Sequence, residues 1–328
     1  MANQRNGTAD GGGAAWRVAR GFTVAVACTV GFYAVATVFL SRASGQRVDE
    51  TALQGARLGR SHLIDEALAV LGLVSVAGLA LATAVIAVLA FTRRRVDLAI
   101  GAVLLVVGAN VTTQFVKYRV LERPDLGIDT RAFNSLPSGH TTVAASLAVA
   151  LVLVVPVRLR AVTGLLGAAA TTIIGVLTLA AGWHRPSDVV AALLVVGAWG
   201  GIVAVGTALA APDADRTRWS GLDMATGAVL TLGGAALLAA AAVALSRTAA
   251  LDGIGTDRSD LFVAYAGGAA GIASTAALLF AAALVLAADS AGTGARSMTR
   301  SDSSVSANVP GVYADGTSTR THATRPGA

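Results

Sequence analysis

An uncharged apolar run occupies residues 189–211, which read VVAALLVVGAWGGIVAVGTALAA. A helix of about 20 residues crosses the hydrocarbon core of a bilayer, which is about 30 Å thick, so this run is long enough to span a membrane. Further runs of this kind recur along the 328-residue chain, which is 55% hydrophobic and only 13% charged. Soluble domains carry about 25% charged residues. The sequence therefore predicts an all-α, polytopic transmembrane helix bundle.

The apolar runs between charged residues predict eight transmembrane spans. The first follows Arg17 and Arg20, as the apolar part of a signal peptide would, but at about 20 residues it is longer than such a segment and is expected to remain as a helix. The ends of the chain, 1–20 and 288–328, are rich in Gly, Ser, Thr, Asp and Ala and are predicted to be disordered. The predicted spans are 21–40, 67–91, 97–116, 140–156, 161–182, 189–211, 224–245 and 261–287.

Clusters of arginine fall on one side of the membrane if these spans alternate in direction. By the positive-inside rule this side is cytoplasmic, which places both termini in the cytoplasm and the loops 41–66, 117–139, 183–188 and 246–260 outside. The frequent Ala, Val, Gly and Arg are typical of a GC-rich bacterial genome, so the expected location is a bacterial plasma membrane. The clusters are Arg17 and Arg20, Arg93 to Arg95, Arg158 and Arg160, and Arg216 and Arg218.

The composition argues against two other classes of protein. The net charge of +6 mostly reflects arginines at the ends of spans, and no stretch combines clustered basic residues with aromatic ones for base stacking, so we expect no nucleic-acid partner. The chain has a single cysteine, Cys28, and no Cys/His cluster with the spacing of a zinc site. We therefore expect neither a bound metal nor another cofactor.

Three polar segments reach the outer membrane boundary at the ends of spans. The first, VKYRVLERPD at 116–125, holds Lys117, the only lysine of the chain. The second, NSLPSGHTT at 134–142, and the third, AGWHRPSDVV at 181–190, each place a histidine near the start of the next span. Taken singly, they have ordinary explanations: cations at the headgroup interface, a serine-capped turn, and a structural His–Asp hydrogen bond. The convergence of all three on one face instead predicts a functional site.

The order of these segments resembles a known family. The patterns K-x5-RP from Lys117, PSGH ending at His140, and H-x3-D from His184 to Asp188 look like the three signature motifs of the type 2 phosphatidic acid phosphatase (PAP2) superfamily. This superfamily comprises integral-membrane lipid phosphate phosphatases and relatives of vanadium haloperoxidases. PSGH alone is only moderately specific, whereas the ordered trio at these spacings is a strong signal.

The resemblance also implies a domain arrangement. It covers about residues 65–211, which form a six-helix unit when the first span is included. We therefore expect a PAP2-like phosphatase core over 21–211. The last two spans, within 212–287, are expected to be an addition outside that core.

The resemblance implies hydrolysis of a phosphate ester without a metal. His184 would attack phosphorus and form a phosphohistidine, and Asp188, one helical turn further on, would hold the ring and stabilise its positive charge. His140 would protonate the leaving oxygen and then activate water. The groups that would bind the phosphate oxygens are Lys117, Arg123, Ser138 and the Gly139 N–H.

A site at the outer end of a helix bundle suits an amphiphile whose phosphate lies at headgroup depth. The expected partners are therefore the bilayer and a lipid phosphate monoester or diphosphate. Candidates are polyprenyl phosphate or diphosphate, phosphatidic acid and phosphatidylglycerol phosphate. Polyprenyl carriers are preferred, because bacteria dephosphorylate these lipids on the outer face of the membrane.

The chain departs from the family pattern in two places. Five residues rather than six separate Lys117 from the Arg-Pro pair, and Thr178 stands where the third motif carries an arginine six residues before its histidine. Losing one transition-state donor typically costs about 10²–10³ in rate. Arg185 is the favoured replacement, and Arg119 and Arg131 are two others.

Two alternative functions stay open at this point. The missing arginine is compatible with a catalytically weak relative that binds lipid or serves as a scaffold. A transporter or channel with a polar vestibule is the second alternative. Against it, the spans contain few ionisable residues at mid-depth and no matching pair of Gly/Pro-broken helices.

Overall fold

The computed structural model describes residues 7–58, 72, 76–92, 96–128, 133–210 and 220–290. The chain divides into two compact units, Met1–Gly292 and Thr293–Ala328, and all the described residues belong to the first. These residues form nine α-helices and one π-helical turn and contain no strand, which confirms the predicted all-α bundle. In chain order the elements are α1 (Gly7–Phe39), α2 (Ala43–Ala56), α3 (Val76–Thr92), α4 (Val96–Phe115), the π-helical turn (Val116–Val120), α5 (Gly139–Val154), α6 (Val157–Ala180), α7 (Pro186–Ala210), α8 (Gly221–Ala249) and α9 (Arg258–Ser290).

Six of these helices, α1, α4, α6, α7, α8 and α9, are long and apolar enough to cross a membrane. Shorter apolar segments lie in α3 and α5, at Leu79–Phe91 and Gly139–Val154. Each predicted span overlaps one of these eight helices, although 67–71 and 73–75 of the second span lie outside the described residues. The chain is a multi-pass membrane protein.

The first helix begins earlier than the composition predicts. Residues 7–20 are helical, whereas the composition of residues 1–20 predicts disorder. The physical reason is that the apolar run from Gly21 nucleates a helix, and extending an existing helix costs far less than starting one. Within this extension the guanidinium of Arg20 stacks 4.9 Å from the ring centroid of Trp16. At the other end α9 runs to Ser290, and the predicted tail beyond it lies outside the described residues.

The centre of the bundle is α7, which packs against α1, α4, α5 and α9. Its side chains Leu193 and Val196 are almost completely buried. The contact with α1 is close because glycines meet there: a Cβ on Gly21 would lie only 2.9 Å from the carbonyl oxygen of Gly201. Small residues that let backbones approach are typical of helix pairs in membranes. This packing fixes the start of α7, where the third motif lies.

The last helix, α9, belongs to the core of the bundle. Phe280 and Leu284 are fully buried, and they fill the space beside Gly167 and Gly164 of α6, where an added Cβ would collide with them. Thus α9 packs against the helices of the predicted phosphatase core, although the sequence places it in an addition to that core. By contrast, α8 lies at the periphery and exposes side chains such as Leu232. A helix that is apolar on every side has no polar face, so its sequence does not distinguish a core position from a lipid-facing one.

A short helix, α2, lies in the segment 41–66 that sequence reading treats as an outer loop. The segment is polar and too short to span, which is why no helix is predicted there. Most of α2 is nevertheless buried, and Gly55 allows its backbone to touch the carbonyl of Leu261 at the start of α9. Leu53 joins Ile272 of α9 in a small apolar cluster. Packing against α9 thus holds α2 at the end of the bundle where α7 begins.

Replacing Phe280 with alanine should destabilise the fold more than the same change at Phe262 on the same helix. The truncation at Phe280 leaves a cavity between α6 and α9, and such cavities cost about 3–5 kcal/mol in protein cores. Phe262 is 63% exposed, so its removal leaves no cavity. Thermal unfolding of both variants in detergent micelles measures the difference. Equal unfolding midpoints for the two variants would show that α9 is not a core helix.

Candidate active site

One oxygen of the Asp188 carboxylate, in the first turn of α7, contacts three other groups. Its Oδ2 accepts hydrogen bonds from the hydroxyl of Ser135 at 2.6 Å and from the backbone N–H of Arg185 at 2.8 Å, and it lies 3.3 Å from Nδ1 of His184. Asp188 is 2% exposed and His184 is 6% exposed, so the pair is shielded from water. The start of a helix also favours a negative charge. Asp188 therefore fixes the ring of His184 against α7.

The turn between α6 and α7 presents His184. Gly182 adopts a φ of 73°, which side chains rarely adopt, and lets the chain reverse directly after α6. The backbone N–H groups of Trp183 and His184 donate to the carbonyl of Thr178 at 3.0 and 3.3 Å. The hydroxyl of Thr178 donates to the carbonyl of Gly175 within its own helix. The residue at the position of the family arginine thus supports the turn but supplies no cation.

Ser138 caps α5 and joins it to α7. Its backbone N–H donates to the carbonyl of Asp188 at 2.9 Å. Its side-chain oxygen accepts from the N–H of Thr141 at 3.4 Å and from the hydroxyl of Thr141 at 3.1 Å, so its own hydrogen stays free to donate. Gly139 is half-buried and begins α5, where the first N–H groups have no partner within the helix. This segment offers hydrogen-bond donors to an anion beside the third motif.

His140 lies next to the third motif. Its ring centroid is 5.2 Å from that of Trp183, the residue directly before His184. The half-buried imidazole is also within electrostatic reach of His184 and of Lys117. The histidines of the second and third motifs therefore lie in one site, at the same end of the bundle.

Lys117 lies on the π-helical turn, Val116–Val120, that follows α4. Single π turns in α-helices occur frequently at functional sites. The ammonium Nζ is 5.6 Å from the ring centroid of Tyr118 and within electrostatic reach of Asp188. The side-chain amide of Asn134 donates to the carbonyl of Lys117 at 3.1 Å, which fastens this turn to the loop before α5.

Arg123, in the loop after the π-helical turn, has guanidinium nitrogens without partners. Its Nε and Nη2 are buried and make no hydrogen bond to any residue that the structure describes. The charge of Arg123 is within reach of Asp49, Glu50 and Asp188, and also of the like charge of Arg185. Burial, followed by the charge of Arg185, lowers the pKa of Arg123, although a guanidinium remains protonated at neutral pH. A half-buried cation with two buried and unused donor atoms is suited to bind the oxygens of an anion.

Arg185 is almost completely buried rather than exposed at the headgroup level. Its Nη1 donates to the hydroxyl of Ser135 and its Nη2 to the carboxylate of Glu50, both at 3.3 Å. Its Nε is buried and has no hydrogen-bond partner in the described part of the chain. The sequence offers two other replacements for the family arginine: Arg119 is exposed on the π-helical turn, and Arg131 lies outside the described residues.

Four further polar residues contact the site, and the sequence assigns a role to none of them. Asp49 accepts hydrogen bonds from the hydroxyl of Ser187 and, at 3.2 Å, from its backbone N–H. Burial, followed by the charge of Asp188, raises the pKa of Asp49 to about 7. The spacing of three and four residues along α2 was a usable signal, because it places the polar groups on one helix face. The four residues are Gln46, Asp49, Glu50 and Ser135.

An open cavity of about 960 Å³ extends from His140 between α3, α4 and α5. Its walls include the apolar side chains of Leu79, Val111, Phe115 and Val143. An apolar chain attached to a phosphate could lie in this cavity with the phosphate near His140. In the part of the chain that the structure describes, no group of three His, Cys, Asp or Glu side chains is arranged to hold a metal ion.

Residues 98–211 match the family model of the PAP2 superfamily. This segment belongs to the PAP2 superfamily. It begins in α4, ends just after α7 and contains all three motif segments, whereas α1, α2, α3, α8 and α9 lie outside it. No curated protein and no solved structure matches the chain. Members of the PAP2 superfamily are phosphatases, so the match indicates phosphatase activity on phosphate esters.

Asp49 should make the stability of the protein depend on pH. The pKa of Asp49 rises from its ordinary value of 3.8 to about 7 on folding, so between these values the folded protein holds a proton that the unfolded chain releases. The stabilisation from this group is complete below about pH 4 and is lost as the pH rises through about 7. Unfolding midpoints of wild type and Asp49→Asn, measured from pH 4 to pH 8.5 in detergent, should therefore diverge across this window. A wild-type-minus-variant difference that is constant with pH would contradict the assignment.

Proposed function

We propose that this protein is a metal-independent phosphatase that hydrolyses a lipid phosphate monoester or diphosphate through a phosphohistidine at His184. The observation that carries the proposal is the buried His184–Asp188 pair, with Nδ1 and Oδ2 3.3 Å apart, beside a second histidine and two cations. These residue types in one site match the requirements of phosphoryl transfer: a nucleophile, an acid and positive charge around the phosphoryl oxygens.

The contact between His184 and Asp188 orients the ring of His184 for nucleophilic attack. Asp188 accepts the hydrogen on Nδ1, so that the lone pair on Nε2 is available to attack phosphorus. As the N–P bond forms and the bond from phosphorus to the lipid oxygen breaks, the ring becomes positively charged. The carboxylate of Asp188, itself held by Ser135 and by the N–H of Arg185, stabilises this charge.

His140 serves as the acid and then as the base. In the first step it gives its proton to the lipid oxygen that leaves. In the second step it takes a proton from water, the resulting hydroxide attacks phosphorus, the N–P bond of the phosphohistidine breaks, and inorganic phosphate leaves. The position of His140 beside Trp183 and within electrostatic reach of His184 supports this role.

The phosphate oxygens are bound by two cations and by the start of α5. Arg123 contributes the two buried nitrogens that lack partners, Lys117 contributes a compact ammonium, and Ser138 and the N–H of Gly139 add hydrogen bonds. Arg185 replaces the family arginine only in part, because its Nη1 and Nη2 are bonded to other side chains and Nε alone is without a partner.

The substrate is an amphiphile at the extracytoplasmic face of the plasma membrane. The cavity beside His140, with apolar walls from α3, α4 and α5, supports a lipid rather than a soluble phosphate ester. The arginine distribution supports an outward-facing site with both termini in the cytoplasm. Polyprenyl phosphate is the first substrate to test.

A catalytically weak, lipid-binding relative is the second candidate. Thr178 supplies no cation at the position of the family arginine, and Arg185 is held by Ser135 and Glu50. Such a protein would bind lipid phosphate without turnover, so binding and turnover must be measured separately.

Purified wild type should release phosphate from a short-chain lipid phosphate in the presence of EDTA. His184→Ala removes the nucleophile and should lower turnover by roughly 10⁴-fold or more. His140→Ala removes acid–base catalysis and should cost about 10²–10⁴-fold. His322→Ala, outside all three motifs, is the matched control and should leave turnover unchanged. Full activity in His184→Ala would refute the mechanism, and binding without turnover in wild type would support the second candidate.

Arg123→Ala should lower turnover by about 10²–10³, since it removes a donor that acts on the phosphoryl oxygens. Arg57→Ala is the matched control, because Arg57 is exposed just beyond α2. Arg123→Lys keeps the charge but loses the planar fork, so it should recover only part of the activity. Steady-state kinetics of the three variants test this assignment. Equal turnover in Arg123→Ala and Arg57→Ala would remove Arg123 from the site.

A further inference from the structure

Three polar residues form one side of α2, called here the polar face of α2: Gln46, Asp49 and Glu50. Their spacing of three and four residues places them on the same side of the helix. All three are buried, with exposures of 1%, 1% and 4%. The helix lies outside the matched segment 98–211 and carries no PAP2 motif. Buried polar groups need partners, and the partners of this face belong to the active site.

Gln46 reaches the loop of the first motif. Its side-chain amide donates to the carbonyl of Pro124 at 3.1 Å, and Pro124 directly follows Arg123. The same amide donates to the carbonyl of Leu40 at 2.8 Å, at the end of α1. Gln46 thus ties the loop that carries Arg123 to the junction between α1 and α2.

The two acids reach the turn of the third motif. Asp49 accepts the hydroxyl and the N–H of Ser187, and Glu50 accepts Nη2 of Arg185 at 3.3 Å. Arg185 and Ser187 lie on either side of Pro186, between the proposed nucleophile and Asp188. The two acids therefore hold residues 185–187, the segment that positions His184 against Asp188.

We propose that the polar face of α2 is a positioning element of the active site, in which Gln46 holds the loop of Arg123 while Asp49 and Glu50 hold the turn before α7. This inference rests on the phosphatase function proposed above. The three residues act through their partners and not through contact with substrate.

The two acids on α2 also act on the charges of Arg123 and Arg185. Arg123 and Arg185 lie within reach of each other's charge and repel. Glu50, together with Asp49 when it is ionised, attracts Arg123, and Glu50 pairs with Arg185, so the acids keep both guanidinium groups close before a phosphate arrives. Stability alone does not account for such groups, because apolar side chains of similar size are often at least as stabilising as a buried ion pair.

The last helix presses α2 against this turn. Gly268 of α9 lies where an added Cβ would be 2.6 Å from Cγ of Pro186 and 3.6 Å from Cβ of Ala52. The backbone of α9 therefore touches both the start of α7 and the middle of α2. Among the helices that the structure describes, α9 makes the most extensive contact with α2, so α9 helps to keep the polar face of α2 against the motif.

The test compares Glu50→Gln, Asp49→Asn and Gln46→Ala with wild type in the full-length, detergent-solubilised protein. Asp223→Asn is the matched control, because Asp223 is a fully buried carboxylate that caps α8 through Ser220. Four quantities are measured for each protein: kcat and KM for a short-chain lipid phosphate from pH 5 to pH 9, the affinity for vanadate as a mimic of the phosphoryl group, and the unfolding midpoint.

Glu50→Gln and Asp49→Asn should each lower kcat by about 10- to 100-fold, the usual effect of losing a group that orients an active-site residue, and should weaken vanadate binding. Asp49→Asn should also change the shape of the pH profile. The charged groups that face Asp49 are Asp188, Arg185, Arg123 and, on its own helix, Glu50.

Two further comparisons separate positioning from stability. Glu50→Gln should have a much smaller effect in an Arg185→Ala background, because the hydrogen bond of Glu50 is to Arg185 and only its weaker attraction for Arg123 remains. Asp223→Asn should lower the unfolding midpoint without changing the pH profile or the vanadate affinity.

The inference is overturned if the acid variants keep the wild-type kcat, pH profile and vanadate affinity, whatever their unfolding midpoints. If Asp49→Asn does not fold, Glu50→Gln and Gln46→Ala decide. If the wild type binds vanadate but releases no phosphate, the proposed phosphatase function is refuted. The vanadate affinities of the variants are then the only test of the positioning role of α2. A wild type that does neither refutes both.

Discussion

The hydrogen bonds to the carboxylate of Asp188 are the contacts on which the rest of the site depends. Its Oδ2 holds Ser135, the N–H of Arg185 and the ring of His184, while its backbone carbonyl accepts the N–H of Ser138. One residue therefore joins the start of α7, the start of α5 and the turn between α6 and α7. A buried carboxylate is tolerated only when it is hydrogen-bonded or paired, so this cluster forms as a unit or not at all.

The apolar surroundings explain why these polar groups collect at helix ends. Inside a bilayer every backbone group must find a partner within the protein, which confines irregular backbone to protected ends of the bundle. Below the site, hydrogen bonds between side chains link the helices that carry the motifs. Thr113 of α4 and Thr142 of α5 are 2.9 Å apart, and the indole N–H of Trp199 on α7 donates to Thr112 on α4 at 3.0 Å. These hydrogen bonds hold α4, α5 and α7 together and so keep the three motif segments close to one another.

The spans and the motif segments could be predicted from sequence, because both are local signals. A run such as 189–211 needs only its own composition to indicate a helix, and PSGH or H-x3-D needs only a few neighbouring residues. The contributions of α2 and α9 could not be predicted this way. The polar residues of α2 resemble those of a loop, and their partners lie far along the chain: Glu50 and Arg185 are 135 residues apart in sequence. Likewise α9 is apolar on every side, and only its packing against Gly167 and Gly164 shows which side is buried.

The distribution of charge also explains how a buried arginine can lie directly after the proposed nucleophile. Lys117, Arg123 and Arg185 face the acids Glu50, Asp188 and Asp49, of which Asp49 is only partly ionised near pH 7. The acids therefore offset most of the buried positive charge, which would be costly without them. In the proposed mechanism, Glu50 and Ser135 hold Arg185, and Arg123 and Lys117 are the cations that meet the phosphate. The chain would then separate two tasks that one arginine could share: Arg185 supports the turn, and the first motif supplies the charge.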